Sequence, residues 1–426
     1  MAVTREAQGI RIVDSTDKDV VARLIDGGSS RDPGVERRVQ QIVTAVRNRG
    51  DEAVIEYAQR FDHLEGEIEI GRTEMRRLAK TVAPPVRDAI ILAAQNIGTV
   101  ADKQVPRGWR VTTTGGVSIE QRVTALDRVG CYVPGGRYPL PSSLLMTAIP
   151  ARVAGVREVI AVCPRPDATV MLAALTAGVD RMFRIGGAHA IAALAYGTDT
   201  IPNVDKIAGP GNAYVAAAKA LVSRDCAIDF FAGPSEIVVV STSGNPAWIA
   251  ADLIAQAEHD PDARAILLTP SRRLAAAVSK EVERQVPTSG PAALALSRNG
   301  AIIVTRTMAE AIALSQRIAP EHVVCDDDEV AAKLTAAGTV FVGEYSAQAL
   351  GDYSSGSNHV LPTSGAARGR GGLSAADFVR VSTVQRVTRA GLRTIGPAAV
   401  ALAEAEGLNG HAESVRMRLI SRKGTR

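Results

Sequence analysis

Aromatic residues are scarce. Six Phe, seven Tyr and two Trp make up 4% of the 426 residues, so the core must be filled by Ala, Val, Ile and Leu. Small aliphatics of that kind suit α/β packing, where both faces of a parallel sheet are covered. Cysteine is sparse too: Cys131, Cys163, Cys226 and Cys325 lie far apart and form no C-x-x-C pair. This excludes a disulfide scaffold and reads as reduced thiols in a cytoplasmic protein, each a small core hydrophobe. No window approaches the roughly 18 uninterrupted apolar residues of a membrane span. The opening MAVTREAQGIRIVDS has no apolar h-region, so no secretory leader is expected. A net charge of +4, with no run of Lys or Arg, gives no reason to expect nucleic acid or an anionic membrane as partner.

What is present is ordinary for a large globular chain: 46% hydrophobic and 22% charged residues. At roughly 150 residues per domain the length predicts two or three domains. Up to about Val123 the pattern is mostly helical. VERRVQQIVTAVRNRGDEAVIEYAQRFD carries helical spacing punctuated at Gly50, and EMRRLAKTVAPPVRDAIILAAQNIGTVADKQ breaks at Pro84 and Pro85. Gly108 to Gln121 reads as a hairpin or extended segment. From Val129 short apolar runs (VGCYVP, EVIAVCP, RMFRIG, KIAGPG, SEIVVVS, ARAILLT, AIIVT, HVVCD, TVFVG) alternate with Ala-rich helices. Strand–helix alternation means βαβ units with parallel sheets. The strands are too many for one comfortable sheet. Two doubly wound modules are therefore expected, the second starting near Val129 and the chain returning to the first near Ser235. After about Leu373 come separate helical patterns, ending in ESVRMRLIS as a strand or tail.

Several polar constellations stand out. Asn245 and Pro246 start a helix that ends in Gln256-Ala-Glu-His259, and residues three apart share a helix face and can converge on a metal. Imidazole with oxygen ligands suits zinc; the bland alternative is a capping or surface histidine. Glu321-His322 can divide proton-transfer work at a loop, or be a surface pair at a turn. Asp352 and His359 fall in GDYSSGSNHVLPT, a polar loop of the kind that carries site residues, or a plain connector. Glu406 and His411 fall in EGLNGHAE, which alone reads as a helix end. Three Gly-rich turns, GGRYP at Gly135, GPGN at Gly209 and GPSE at Gly233, could approach a cofactor. None matches G-x-G-x-x-G.

Taken in order, GCYVPGGRYPLPSS, IAGPGNAYV, DFFAGPSEIVVVS, QAEHDPDARAILLT, APEHV, GDYSSGSNHVLPT and EGLNGHAE resemble the histidinol dehydrogenase family, over nearly the whole chain from about Val20 to the last expected strand. The resemblance implies two incomplete Rossmann-like modules, with an N-terminal helical segment and a C-terminal extension, in an intertwined homodimer. The boundaries expected are an N-terminal arm (1–20), a first module (21–128 and 235–373), a second module (129–234) and a dimer-crossing segment (374–426). By matching motifs, Gln256, His259, Asp352 and His411 are implied as ligands of one zinc ion per subunit. Glu321 and His322 are implied as proton acceptors. Ser235, His359 and Glu406 are implied substrate contacts, with His322 and the zinc ligands also framing the substrate, and Tyr132 and Asn212 are implied NAD contacts. Glu406 and His411 would complete the neighbour's site. His189 stands beside the implied NAD site where the family usually has Gln, and an imidazole cannot present a donor and an acceptor from one end as an amide does.

The activity implied is NAD-linked oxidation of L-histidinol through L-histidinal to L-histidine, the last steps of histidine biosynthesis. The alternatives are a related zinc and NAD dehydrogenase acting on another small amino or anionic alcohol, a zinc hydrolase in which Glu321 activates water, and a non-catalytic binding protein.

Overall fold

The structure, a computed structural model, describes residues 9–26, 32–135, 140–231 and 233–420. It divides into two compact units: Met1–Gln104 with Asp127–Phe378, and Val105–Leu126 with Val379–Arg426. The strands of the described residues are β1 (Arg11–Asp14), β2 (Trp109–Thr114), β3 (Val117–Ala125), β4 (Arg128–Tyr132), β5 (Glu158–Val162), β6 (Arg181–Phe183), β7 (Lys206–Ala208), β8 (Ala227–Ile228), β9 (Glu236–Val240), β10 (Arg264–Thr269), β11 (Ala301–Val304), β12 (His322–Cys325), β13 (Thr339–Val342) and β14 (Val379–Val387).

The first unit holds two sheets. One has six strands in the order β1-β11-β10-β9-β12-β13, the other five in the order β6-β5-β4-β7-β8. Every pairing in both is parallel. The mixed α/β architecture expected from the sequence is therefore present. Each sheet is wound from an inner strand. From β9 the chain moves out through β10 and β11, then returns to the other side as β12 and β13. From β4 it moves through β5 and β6, then returns as β7 and β8.

Alternation explains why such apolar strands are stable. Ile237 and Val239 of β9 enter one core with Leu253, Leu267 and Val278. Val238 and Val240 enter a second core with Ile266, Ile303, Ala311 and Val323. With a helical layer on each face, a run such as EIVVV has no polar side. Helix starts are held by side chains that meet otherwise unpaired N–H groups. Asn245 accepts from Ala247, Ser271 from Leu274 and Thr307 from Glu310, each contact worth about 1 kcal/mol.

The N-terminal helices form as expected, Pro33–Arg49 and Asp51–Tyr57 on either side of Gly50, and Pro84–Gln104 starting at the paired prolines. Their partner differs from the expected grouping. Val39, Val43, Val46 and Val54 share a core with Ile160, Phe183 and Ile191 of the five-stranded sheet and its helices. All four cysteines are free and buried, and burial pushes the Cys131 thiol up to about 12. No helix of the described residues is long and apolar enough to cross a membrane.

The second unit is an antiparallel sheet, β14-β3-β2, with the helices Arg389–Ala405 and Asn409–Ile420. The hairpin β2–β3, grouped by chain position with 21–128, pairs instead with β14, from Val379↔Ala125 to Val387↔Val117. Glu120 is clamped by Arg110 and Arg386, both at 2.7 Å, so one carboxylate bridges all three strands. The chain end read as a strand or tail is helical through Ile420, so that expectation is corrected.

Candidate active site

At the amino ends of β9 and β12 two acidic residues and an imidazole are taken out of water. Glu321 is 7% exposed and His322, the first residue of β12, is 3% exposed. Glu321 Oε2 accepts the N–H of Glu236 at 2.9 Å and lies 3.7 Å from His322 Nδ1. His322 Nδ1 is 3.2 Å from the carbonyl oxygen of Glu236. A carbonyl only accepts, so Nδ1 carries the hydrogen and a neutral His322 keeps its lone pair on Nε2. That nitrogen lies 3.7 Å from Asp352 Oδ1.

The electrostatics follow from burial and neighbours. Burial, only partly offset by His322 and the Glu236 N–H, pushes Glu321 up to about 7. Burial also works against a charged His322, but Glu321 and Asp352 outweigh it and its pKa is raised. Asp352 is raised by burial and lowered by the hydrogen bond and charge of His322, with help from His359 and His259; the net direction is down. His359 is lowered, chiefly by burial. Its Nδ1 donates to the Asp352 carbonyl at 2.8 Å and its Nε2 is 3.3 Å from Ser143 Oγ.

Asp352 sits on a short helix, Gln348–Tyr353, and not in the polar loop expected for it; His359 does lie in the loop that follows. Gln256 closes the helix Pro246–Ala257, and His259 lies just past its end, its N–H 3.4 Å from the Gln256 carbonyl. Ser235 directly precedes β9. Glu406 caps the helix Arg389–Ala405, His411 lies in the first turn of the last helix, and both are exposed residues of the second unit.

No group of three His, Cys, Asp or Glu side chains stands at metal-holding spacing among the described residues. The Gln256 amide nevertheless fits a metal ligand. It is fully buried, yet neither its oxygen nor its nitrogen has a hydrogen-bond partner. A buried amide left unpaired costs about 1–3 kcal/mol, and a cation accepting its oxygen removes part of that cost.

The remaining expected residues gather at the carboxyl ends of the five-stranded sheet. Tyr132 ends β4, and its hydroxyl accepts the N–H of Gly187 at 3.1 Å. Asn212 follows β7 and caps the helix Ala213–Val222 through Oδ1, leaving its amide NH₂ exposed. Between them Gly209 has φ +127°, and a Cβ there would stand 2.1 Å from the Tyr132 carbonyl oxygen. That turn is held from below by a buried pair. Asp229 accepts from Gly209 N (2.8 Å), Phe230 N (2.7 Å) and Lys219 Nζ (2.6 Å), and Lys219 also donates to the Gly209 carbonyl. His189 is 1% exposed, its Nε2 bonded at 2.9 Å to Asp62, which also accepts from Gly186 N. Of the GGRYP turn, residues 136–139 lie outside the described residues.

Sequence reasoning missed Glu236, Ser143, Asp62 and the Lys219–Asp229 pair. Glu236 stood in the GPSE turn that drew attention, so a signal existed. Ser143 and Asp229 also stood inside motifs that carry the resemblance, whereas Asp62 and Lys219 have no local pattern.

Two doubly wound parallel sheets carry a glycine turn at the carboxyl ends of one and a buried acid–imidazole pair at the amino ends of the other, and comparison with known proteins makes the chain an oxidoreductase. A family model of histidinol dehydrogenase matches residues 27–419. Histidinol dehydrogenase of Dechloromonas aromatica is 44% identical over 96% of this chain and 98% of its own length. That of Cereibacter sphaeroides is 47% identical over 91% and 92%. The crystal structure of histidinol dehydrogenase from Elizabethkingia anophelis is 34% identical, with a TM-score of 0.92 over 97% of this chain and 99% of that one. The chain belongs to the histidinol dehydrogenase family.

Proposed function

We propose that the chain oxidises L-histidinol through L-histidinal to L-histidine, reducing two NAD per histidine formed. The observation that carries this reading is the Glu321–His322 pair, buried side by side and oriented by the main chain of one residue, Glu236. His322 Nε2 takes the hydroxyl proton as hydride leaves the carbinol carbon. Glu321, pushed up to about 7, is a carboxylate matched to deprotonating water near neutral pH. Attack of that water on the aldehyde carbon gives the hydrate, which loses one hydride and two protons to become the carboxylate product. Ser235, His359 and Glu406 are proposed to hold the substrate, and Gln256, His259, Asp352 and His411 a zinc ion. Zinc, when bound, supplies a fixed cation that orients the substrate's imidazole and amine, and NAD, when bound, accepts the hydrides. Orientation of this kind can contribute several kcal/mol. Tyr132, Asn212 and His189 are the proposed NAD contacts.

A homodimer with shared sites is part of the proposal. In the second unit Leu402, Met417 and Ile420 are each at least 65% exposed, apolar surface of the kind that a partner covers. Four buried, unpaired thiols suit a reducing, cytoplasmic setting.

The test is purified protein with L-histidinol and NAD, counting NADH per histidine. Two are expected. Turnover without NAD would favour a zinc hydrolase, and faster oxidation of another amino alcohol a related dehydrogenase. Subunits carrying His411→Ala and His322→Ala, inactive alone, should regain partial activity when refolded together; no recovery in verified heterodimers means that each site is built from one chain.

A further inference from the structure

We infer that Glu236 is a positioning residue for the Glu321–His322 pair: its main chain orients both groups, and its buried side chain keeps that main chain in place. The inference rests on the reading that Glu321 and His322 carry the proton transfers.

The register of β9 and β12 sets His322 opposite Ile237, which brings the Glu236 peptide alongside both groups. Its N–H donates to Glu321 Oε2 at 2.9 Å, leaving Oε1 as the oxygen available to hold water. Its carbonyl accepts from His322 Nδ1 at 3.2 Å and so selects the tautomer with a basic Nε2. One residue thus decides which atom of each side chain is free to react.

The Glu236 side chain closes the arrangement from the other direction. The clasp between the two strand starts is the Glu236 N–H to the Glu321 carboxylate, and the Glu236 carboxylate ties the same residue to Arg264. Arg264 anchors the clasp. Its Nη1 is 3.4 Å from Glu236 Oε1, its Nη2 donates to the Ile25 carbonyl at 3.1 Å, and its own N–H donates to the Ser235 carbonyl at 2.9 Å. At 2% exposure, with Oε2 unpartnered, Glu236 is not a solubilising charge. A buried ion pair is a poor way to gain stability, since well-packed apolar residues do as well. A carboxylate here instead ties the Glu236 main chain to Arg264.

The test uses the full-length zinc-loaded protein and single-turnover NADH formation per titrated active site. E236A should lower that rate up to about a hundredfold, the scale of a 1 Å misplacement, with the apparent affinity for NAD within about twofold of the parent. E236Q keeps an acceptor oxygen toward Arg264 and should recover most of the rate. Histidine ¹⁵N spectra, with His322 assigned by its loss in H322Q, should show Nδ1–H alone in the parent and a tautomer mixture in E236A. An unchanged rate per site and an unchanged His322 signal in E236A would overturn the inference. Should E236A not fold, R264Q carries the test: about a tenfold fall is expected, and a parental rate overturns it. E321Q and H322Q are run in parallel. If both keep the parental rate, the proton-transfer reading has failed; if they are impaired and E236A is not, only the positioning role has.

Discussion

The two parallel sheets of the first unit are wound alike, and the candidate site residues lie at opposite ends of them. In each, the chain reverses next to the strand it started from, between β4 and β7 in one and between β9 and β12 in the other. Ligands of open α/β sheets usually sit at the carboxyl ends of the strands at such a reversal. Tyr132, Gly209 and Asn212 obey that rule. Ser235, Glu236, Glu321 and His322 occupy the equivalent strand pair but at its amino end. The difference is a lesson in helix polarity. In a βαβ unit helices start at the carboxyl ends of strands and finish at the amino ends, and a helix start favours anions while a helix finish favours cations. The strand ends beside the start of the helix Ala213–Val222 therefore suit an anion. The other end, where Pro246–Ala257 and Met308–Ile318 finish, suits a metal ion and a cationic substrate.

If that division holds, perturbations at the amino ends should spare NAD binding and those at the carboxyl ends should spare histidinol binding. Metal removal is the largest. Chelation should abolish turnover and added zinc restore it, with NAD affinity, read by fluorescence titration, changed less than about twofold. His259→Asn should weaken zinc binding by at least about tenfold, as loss of even an outer partner can. A fully active metal-free protein would break this half of the comparison.

Next come the two proton-transfer groups. Glu321→Gln should slow histidinal oxidation by roughly 100- to 10,000-fold while still reducing some NAD from histidinol in one turnover. His322→Gln should impair both steps. Normal histidinal oxidation by Glu321→Gln would end the proposed division of labour. At the other end, Gly209→Ala forces a Cβ toward the Tyr132 carbonyl at a backbone conformation that favours glycine. A loss of about 1–3 kcal/mol in stability is expected, with weaker NAD binding and unchanged histidinol affinity. Smallest is His189→Gln, which should shift the apparent affinity for NAD a few-fold and more than that for histidinol. An effect confined to histidinol would place His189 outside the cofactor crevice.

Much of this division was legible in the chain. The alternation of short apolar runs and Ala-rich helices announced two parallel sheets, because both faces of each strand had to be covered. The acid–imidazole pair was legible because its members are adjacent. Glu236 was not: it meets His322 across 86 positions of chain, and strand register is a property of packing that no local window contains. Which sheet the helices of residues 33–57 would cover was equally hidden, since an amphipathic stripe announces a buried face but not its partner. VRVSTVQRV, the strand β14, alternates only loosely and was passed over. The last helix was misread because RMRLI carries too few residues to separate a period of 2 from one of 3.6.

The pair beneath the Gly209 turn constrains how this chain can diverge. Losing Lys219 strands a buried carboxylate, and losing Asp229 strands an ammonium group together with the N–H groups of Gly209 and Phe230. Either single loss costs about 3–5 kcal/mol, a large share of the roughly 5–15 kcal/mol that keeps a domain folded. Exchanging both at once still leaves the two N–H groups orphaned. A single substitution that removes either charged group therefore passes through a poorly folded intermediate. A lineage would hold these two positions still even where the demands on its cofactor drift, kept there by what lies under the turn and not by what binds above it.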